Sequence, residues 1–139
     1  MNILLDTHIA VWAITDDPRM SEKARELILD PDNSIYWSAV STLEVNNKRK
    51  SKHNNLDFTT ADFIDSCIAA GFIELPLRSE HFLAENALSW AGIDEEHKDP
   101  FDRLLLAQAK TDHLYLMTHD HMIPLFQEQC VLSDRKSVV

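Results

Sequence analysis

Residues 2–6 read Asn2-Ile3-Leu4-Leu5-Asp6, a short apolar run closed by a carboxylate, and the pattern returns along the chain. Ile35-Tyr36-Trp37 is followed, inside the next helical segment, by Glu44, and Leu114-Tyr115-Leu116-Met117-Thr118 runs into Asp120. Asp99-Pro100-Phe101-Asp102 opens a helix, with Asp99 as N-cap and Pro100 at the first position; Leu104-Leu105-Leu106-Ala107 then carries that helix through packed interior.

Between these runs the chain alternates strand and helix. Strands are expected at 2–5, at Ser34 to Trp37, at Phe72 to Leu75 and at Leu114 to Met117, with a last one near Cys130-Val131-Leu132. Helices are expected from His8 to Ile14 and from Glu22 to Leu29 after the cap Ser21. Others run from Ala39 towards Lys50, from a Thr59 or Thr60 cap to Ala70, and from Ser79 to Trp90. The last two start at Asp99 and near residue 121. This order implies one α/β domain over residues 1–139, with a central parallel sheet of about four to five strands and helices on both faces.

Hydrophobic residues make up 45% of 139 residues, enough for a single core. Gly occurs only 2 times, so neither a Gly-rich Rossmann turn nor a P-loop can be built, and phosphate must be held by other means. Cys67 and Cys130 form no CxxC pair and read as reduced packing residues. The first strand follows Met1 at once, and no apolar run approaches the roughly 20 residues that span a bilayer, so a soluble, cytoplasmic protein is expected. A net charge of −10 speaks against a generic nucleic-acid binder. Part of that charge belongs to the acids above, and Lys48, Arg49, Lys50, Lys52 and His53 form a local basic patch able to meet phosphate. The same patch also complements the C-terminal end of its helix.

In a parallel sheet the carboxyl ends of the strands share an edge, and α/β proteins put their sites there. Asp6 and Asp120 end two strands, Glu44 lies past a third, and Asp102 sits in the helix leading to the fourth. Each acid also has a purely structural explanation. Asp6, Asp99 and Asp120 can cap helices, Ser41-Thr42-Leu43-Glu44 reads as a capping box, and Asp102 complements a helix dipole. Capping explains the acids one by one and leaves their convergence unexplained. Carboxylates gathered at one edge repel unless a hard cation neutralises them, which points to Mg2+ or Mn2+ at Asp6, Glu44, Asp102 and Asp120. Asp99 is an i, i+3 neighbour of Asp102; Thr7 and Thr118 stand where hydroxyls orient metal-bound water or serve as turn residues. Such a set supports in-line attack of water on a phosphodiester.

More of the chain joins these acids. Leu4-Leu5-Asp6-Thr7-His8 with Trp12, Arg19-Met20-Ser21, Ser38-Ala39-Val40-Ser41 leading to Glu44 and Lys48, Leu56-Asp57, Gly71-Phe72 with Leu75-Pro76-Leu77, His81, the block His97 to Ala109, and Thr118-His119-Asp120 follow one another in a recognisable order. The whole resembles the PIN-domain family, and within it the VapC-type ribonuclease toxins of prokaryotic toxin–antitoxin pairs. The resemblance implies a magnesium- or manganese-dependent endoribonuclease whose catalytic, metal-holding acids are Asp6, Glu44, Asp102 and Asp120, with Asp99 nearby and Thr118 as a polar helper. It also implies a homodimer, an RNA substrate cut to a 5′-phosphate and a 3′-hydroxyl, and a small antitoxin inserting a segment into the active-site groove. The chain departs from the family pattern after Glu44, where Val45-Asn46-Asn47 and the residues to Asn55 contain no Gly. That departure bears on helix packing and on the antitoxin-contacting surface.

Other chemistries fit less well. His8, His119 and His121 lie near the proposed edge, but no HExxH or paired Cys/His spacing supports zinc. Ser38 and Ser41 lack a GxSxG elbow, and neither Cys lies beside a recognisable base. Trp12, Trp37 and Trp90 read as core or dimer-contact residues. The rival class is a non-hydrolytic, magnesium-binding regulatory or protein-interaction module. A phosphoacceptor receiver, for example, would want adjacent acids after its first strand and a lysine where this chain has Met117-Thr118.

Overall fold

The computed structural model describes residues 1–51, 56–88, 99–119 and 131–133. Its elements run β1 (Asn2–Leu5), α1 (Thr7–Thr15), α2 (Glu22–Leu29), β2 (Ser34–Ser38), α3 (Ala39–Lys50), α4 (Thr60–Ala69), β3 (Ile73–Leu75), α5 (Ser79–Asn86), α6 (Pro100–Thr111), β4 (Tyr115–Thr118) and β5 (Val131–Ser133). The expected helix near residue 121 lies outside the described residues, as do Trp90, Asp120, His121 and Cys130.

All neighbouring strands pair in parallel, in the order β3-β2-β1-β4-β5. The chain builds outward from β1 through β2 to β3, then returns to lay β4 on the other side of β1. The reversal puts a topological switch point at β1 and β4, where connections leave the sheet in opposite directions and open a crevice. Register sets the edge of that crevice. Leu5 is level with Trp37 and with Met117, so the next residues along, Asp6, Ser38 and Thr118, form a row.

Side-chain alternation along the strands divides the interior into two cores. Ile3, Leu5, Ile35, Trp37 and Met117 point to one face and pack with Ile9, Trp12, Phe63 and Cys67. Leu4 and Leu116 point to the other and pack with Leu75, Leu105, Leu106 and Ala109. Helix α3 joins both, through Val45 on one side and Val40 on the other. Burial pushes the Cys67 thiol up to about 12, as befits an unreactive packing residue. Among the described residues no helix is long and apolar enough to cross a membrane.

Helix starts follow the expected chemistry with one correction. Ser21 caps α2 through the Ala24 N–H, and Thr59 caps α4 in a reciprocal box with Asp62, each bond 3.0 Å. Gly71 closes that helix with φ 83°, a left-handed turn that a side chain would strain. Ser41 and Glu44 form no capping box. The cap of α3 is Ser38, whose hydroxyl accepts the Val40 N–H at 2.9 Å, because the helix begins directly at the end of β2.

Helices α5 and α6 are tied by a polar cluster. His81 is fully buried. Its Nδ1 accepts the Arg78 N–H at 2.9 Å, so the ring proton sits on Nε2 and is donated to Asp112 at 2.7 Å. Arg78 donates to the other Asp112 oxygen at 2.7 Å. Partial burial pushes the Asp112 carboxyl up, but the hydrogen bonds from Arg78 and His81 and the charge of Arg78 outweigh it and hold the group below its ordinary 3.8. A lowered folded-state pKa gives stability that is present above the ordinary value and lost as pH falls through the folded one. Asp112→Ala is therefore expected to cost about 1.5–3 kcal/mol in urea unfolding at neutral pH. The difference from wild type should shrink as pH drops below the ordinary carboxylate value; a gap that stays constant into acid would contradict the charge-based account.

Candidate active site

Asp6 is the first residue past β1, and its carboxylate serves two structures at once. Oδ1 accepts the Ile9 N–H at 2.9 Å and caps α1. Oδ2 accepts the Thr118 hydroxyl at 2.6 Å and the His119 N–H at 3.3 Å, across the switch point. A carboxylate needed only as a cap could do that work at the surface, whereas Asp6 is 2% exposed. Burial drives its pKa up, against the lowering effect of the Thr118 bond, the Ile9 amide, the His8 charge and the His119 amide. The protein alone thus leaves the Asp6 charge under-compensated.

The residues beside Asp6 in the row are polar, buried and cross-linked. Thr7 and Ser41 join hydroxyls at 2.9 Å, fixing the first turn of α1 against α3. Ser38 donates to Gln108 Oε1, and Gln108 donates from Nε2 to the Pro76 carbonyl at 3.2 Å, so α6 is pinned to the ends of β2 and β3. Gln108 stands out in the sequence only as an amide inside an apolar helix. That signal could have marked it as a buried bracket.

The other proposed acids stand on the helices so fixed. Glu44 is half-buried and one turn along from Ser41, on the face of α3 turned to α1. Asp102 is half-buried in the first turn of α6, after the cap Asp99, which accepts the Phe101 N–H at 2.8 Å and the Asp102 N–H at 3.4 Å. Because α6 feeds β4, it runs against the strands, and its N-terminus lies at their carboxyl edge. Asp6 and the N-termini of α3 and α6, the helices that carry Glu44 and Asp102, therefore lie at the same edge, and the capping role expected of Asp6 and Asp99 is real. Asp120 lies outside the described residues. Among the described residues no three His, Cys, Asp or Glu side chains form a ready metal group.

The donor set fits a hard cation all the same. Magnesium takes only one or two carboxylates directly and keeps several waters, so a closed protein cage is not required. The under-compensated Asp6 is a group that a cation would stabilise. Of the two hydroxyls expected to orient water, Thr118 is committed to Asp6 and Thr7 to Ser41; both support the acid row.

A cationic and aromatic wall flanks this edge, which the sequence does not announce. Trp12 carries the Arg19 guanidinium over one face, 5.2 Å from the ring centroid. The His119 ring meets Trp12 edge-on at 4.8 Å, and His8 lies 6.1 Å away. Arg19 in turn holds the Asp17 carboxyl at about 2.

Asp6→Asn keeps a cap oxygen for Ile9 and removes the buried charge, so its melting temperature in chelator is expected to equal or exceed that of wild type. Magnesium about 100-fold above its Kd would add about 2.7 kcal/mol to wild type, a rise of roughly 5 °C or more, and far less to the variant. Equal rises in both proteins would mean that the ion binds elsewhere.

The PIN domain family matches residues 3–128. No curated protein matches the sequence. Among solved structures, the chain is similar to one from VapBC2 of Rickettsia felis bound to a DNA fragment from its promoter, with a TM-score of 0.65 and 18% identity, covering 96% of this chain and 97% of that one. A toxin–antitoxin complex from Klebsiella pneumoniae matches with a TM-score of 0.60 and 20% identity over 96% of this chain and 98% of that one. DNA-bound VapBC from Salmonella typhimurium matches with a TM-score of 0.63 and 13% identity over 97% and 99%. At such identities the likeness is one of fold. With nearly its whole length matched by the family, and with a parallel sheet whose buried Asp6 lies at the switch point, the chain belongs to the PIN domain family.

Proposed function

We propose that this protein is a divalent-metal-dependent endoribonuclease, the toxin of a type II toxin–antitoxin pair, with Asp6, Glu44, Asp102 and Asp120 as its metal-holding, catalytic acids. Membership of the PIN domain family supports the nuclease assignment, and similar folds in toxin–antitoxin complexes support the biological role. One observation carries the chemistry: a carboxylate buried at the switch point, capped and braced by neutral donors, with its pKa raised.

Asp6 would hold the ion from the end of β1, Glu44 from α3 and Asp102 from α6, with Asp120 as the fourth acid expected from the sequence. When bound, Mg2+ or Mn2+ acidifies water and offsets charge on the phosphate. The rest of the work belongs to the chain. Thr118 and the Ile9 and His119 amides fix the position of Asp6, while the Ser38–Gln108 and Thr7–Ser41 bonds fix the spacing of α1, α3 and α6. Hydrolysis adds water across the bond from phosphorus to the 3′-oxygen; the 5′-phosphate keeps the new oxygen and the departing 3′-oxygen takes up a proton. A small antitoxin covering this groove, and a homodimer, complete the reading.

Purified protein is expected to cut total cellular RNA in magnesium or manganese, to stop in chelator, and to lose activity on Asp102→Asn. Sequencing of the cut ends should find 5′-phosphates. Thr118→Val removes a brace without removing an acid, and is expected to slow cleavage about 10–100-fold while raising the metal concentration required. Intact RNA in the presence of folded, metal-stabilised wild type would make the protein a non-hydrolytic metal-binding module.

A further inference from the structure

A pocket of about 200 Å³ opens between α1 and α3, beside the acid edge. Trp12, Val45 and Leu56 form its apolar wall, and Arg19 and Lys48 bring cationic groups to it beside the His8 ring. Thr7 also lines it, one residue from Asp6, so pocket and acid row are continuous. Lys48 is four residues past Glu44 and stands on the same helical face, one turn further from the row. Among the described residues Lys48 has no ion-pair partner. Arg19 is oriented by its partners: Asp17 accepts from Nε at 3.0 Å and from Nη2 at 2.7 Å, and the guanidinium lies over Trp12. With two of its five N–H donors directed to Asp17, the fork is pre-organised for an anion.

A chain of net charge −10 repels a polyanion except where cations face it, and Arg19 and Lys48, the latter one turn past Glu44, both line this pocket. At about 200 Å³ the pocket lies below the roughly 300 Å³ at which ligand pockets usually start, so it holds part of one nucleotide of a longer strand, with phosphate at the cationic side and sugar or base on the apolar wall. We propose that this pocket is a nucleotide subsite that grips the RNA strand next to the scissile phosphate, with Lys48 and Arg19 as phosphate-binding residues on a platform supplied by Trp12. The proposal rests on the endoribonuclease reading above and adds to it the residues that bind the substrate strand.

The test uses an oligoribonucleotide spanning a cut mapped in total RNA. Lys48→Gln keeps most of the aliphatic stem and removes one charge; Lys23→Gln, on the exposed face of α2, makes the same change in net charge elsewhere. Lys48→Gln is expected to raise KM about ten-fold with kcat little changed. It should also flatten the dependence of log(kcat/KM) on log salt by about 0.7, the loss of one phosphate contact on a single strand. Lys23→Gln should leave both as in wild type, and both variants should melt with wild type. If the two variants behave alike, or if Lys48→Gln cleaves as wild type while losing only its grip on a protein partner, the pocket is not a nucleotide subsite and the nuclease assignment stands. If wild type cuts no RNA, the subsite and the nuclease reading fall together.

Discussion

Burying the Asp6 carboxylate is the constraint around which this structure is organised. An isolated ionised carboxylate is costly to take out of water, and its hydrogen bonds to Thr118, Ile9 and His119 do not fully offset that cost. Its position at the switch point of a parallel sheet, among side chains that are polar yet fully paired with one another, makes sense if charge of the opposite sign visits the site. The PIN domain family match and the chemistry of oxygen donors agree with that reading.

The sheet supplies the accuracy such a site needs. Each central strand is buried on both faces, so a slip of one residue would exchange the two cores and is strongly resisted. Register alone thus aligns Asp6, Ser38 and Thr118. Two further brackets extend this order to the helices. Ser38 with Gln108 ties α6 to the row, and Thr7 with Ser41 ties α3 to α1. Glu44 and Asp102 stand on the helices that these bonds fix.

Much of this could be read from the chain itself. The strand positions, the Ser21 and Thr59 caps, Gly71 as a helix stop, and Asp99-Pro100 as a helix start follow from local chemistry, which tertiary packing reinforces. The capping box at Ser41 was misleading for a physical reason. Ser38 sits where β2 becomes α3 and takes the cap, leaving Ser41 inside the helix to meet Thr7. The Arg19–Trp12–His119 stack was not readable, since it joins residues from three separate stretches and depends on side-chain direction. The acids could be placed at one edge from topology, but their distances could not, because those depend on the tilt of α3 and α6.

The bond from Thr118 to Asp6 spans 112 positions of the sequence. Beta strand β1 must therefore wait, as the polypeptide is synthesised, until β4 has left the ribosome before the central pairing can close. The acid is thus made 112 positions before the hydroxyl that braces it. Whatever the acid row does, a nascent chain could do it only after β4 has emerged and docked on β1.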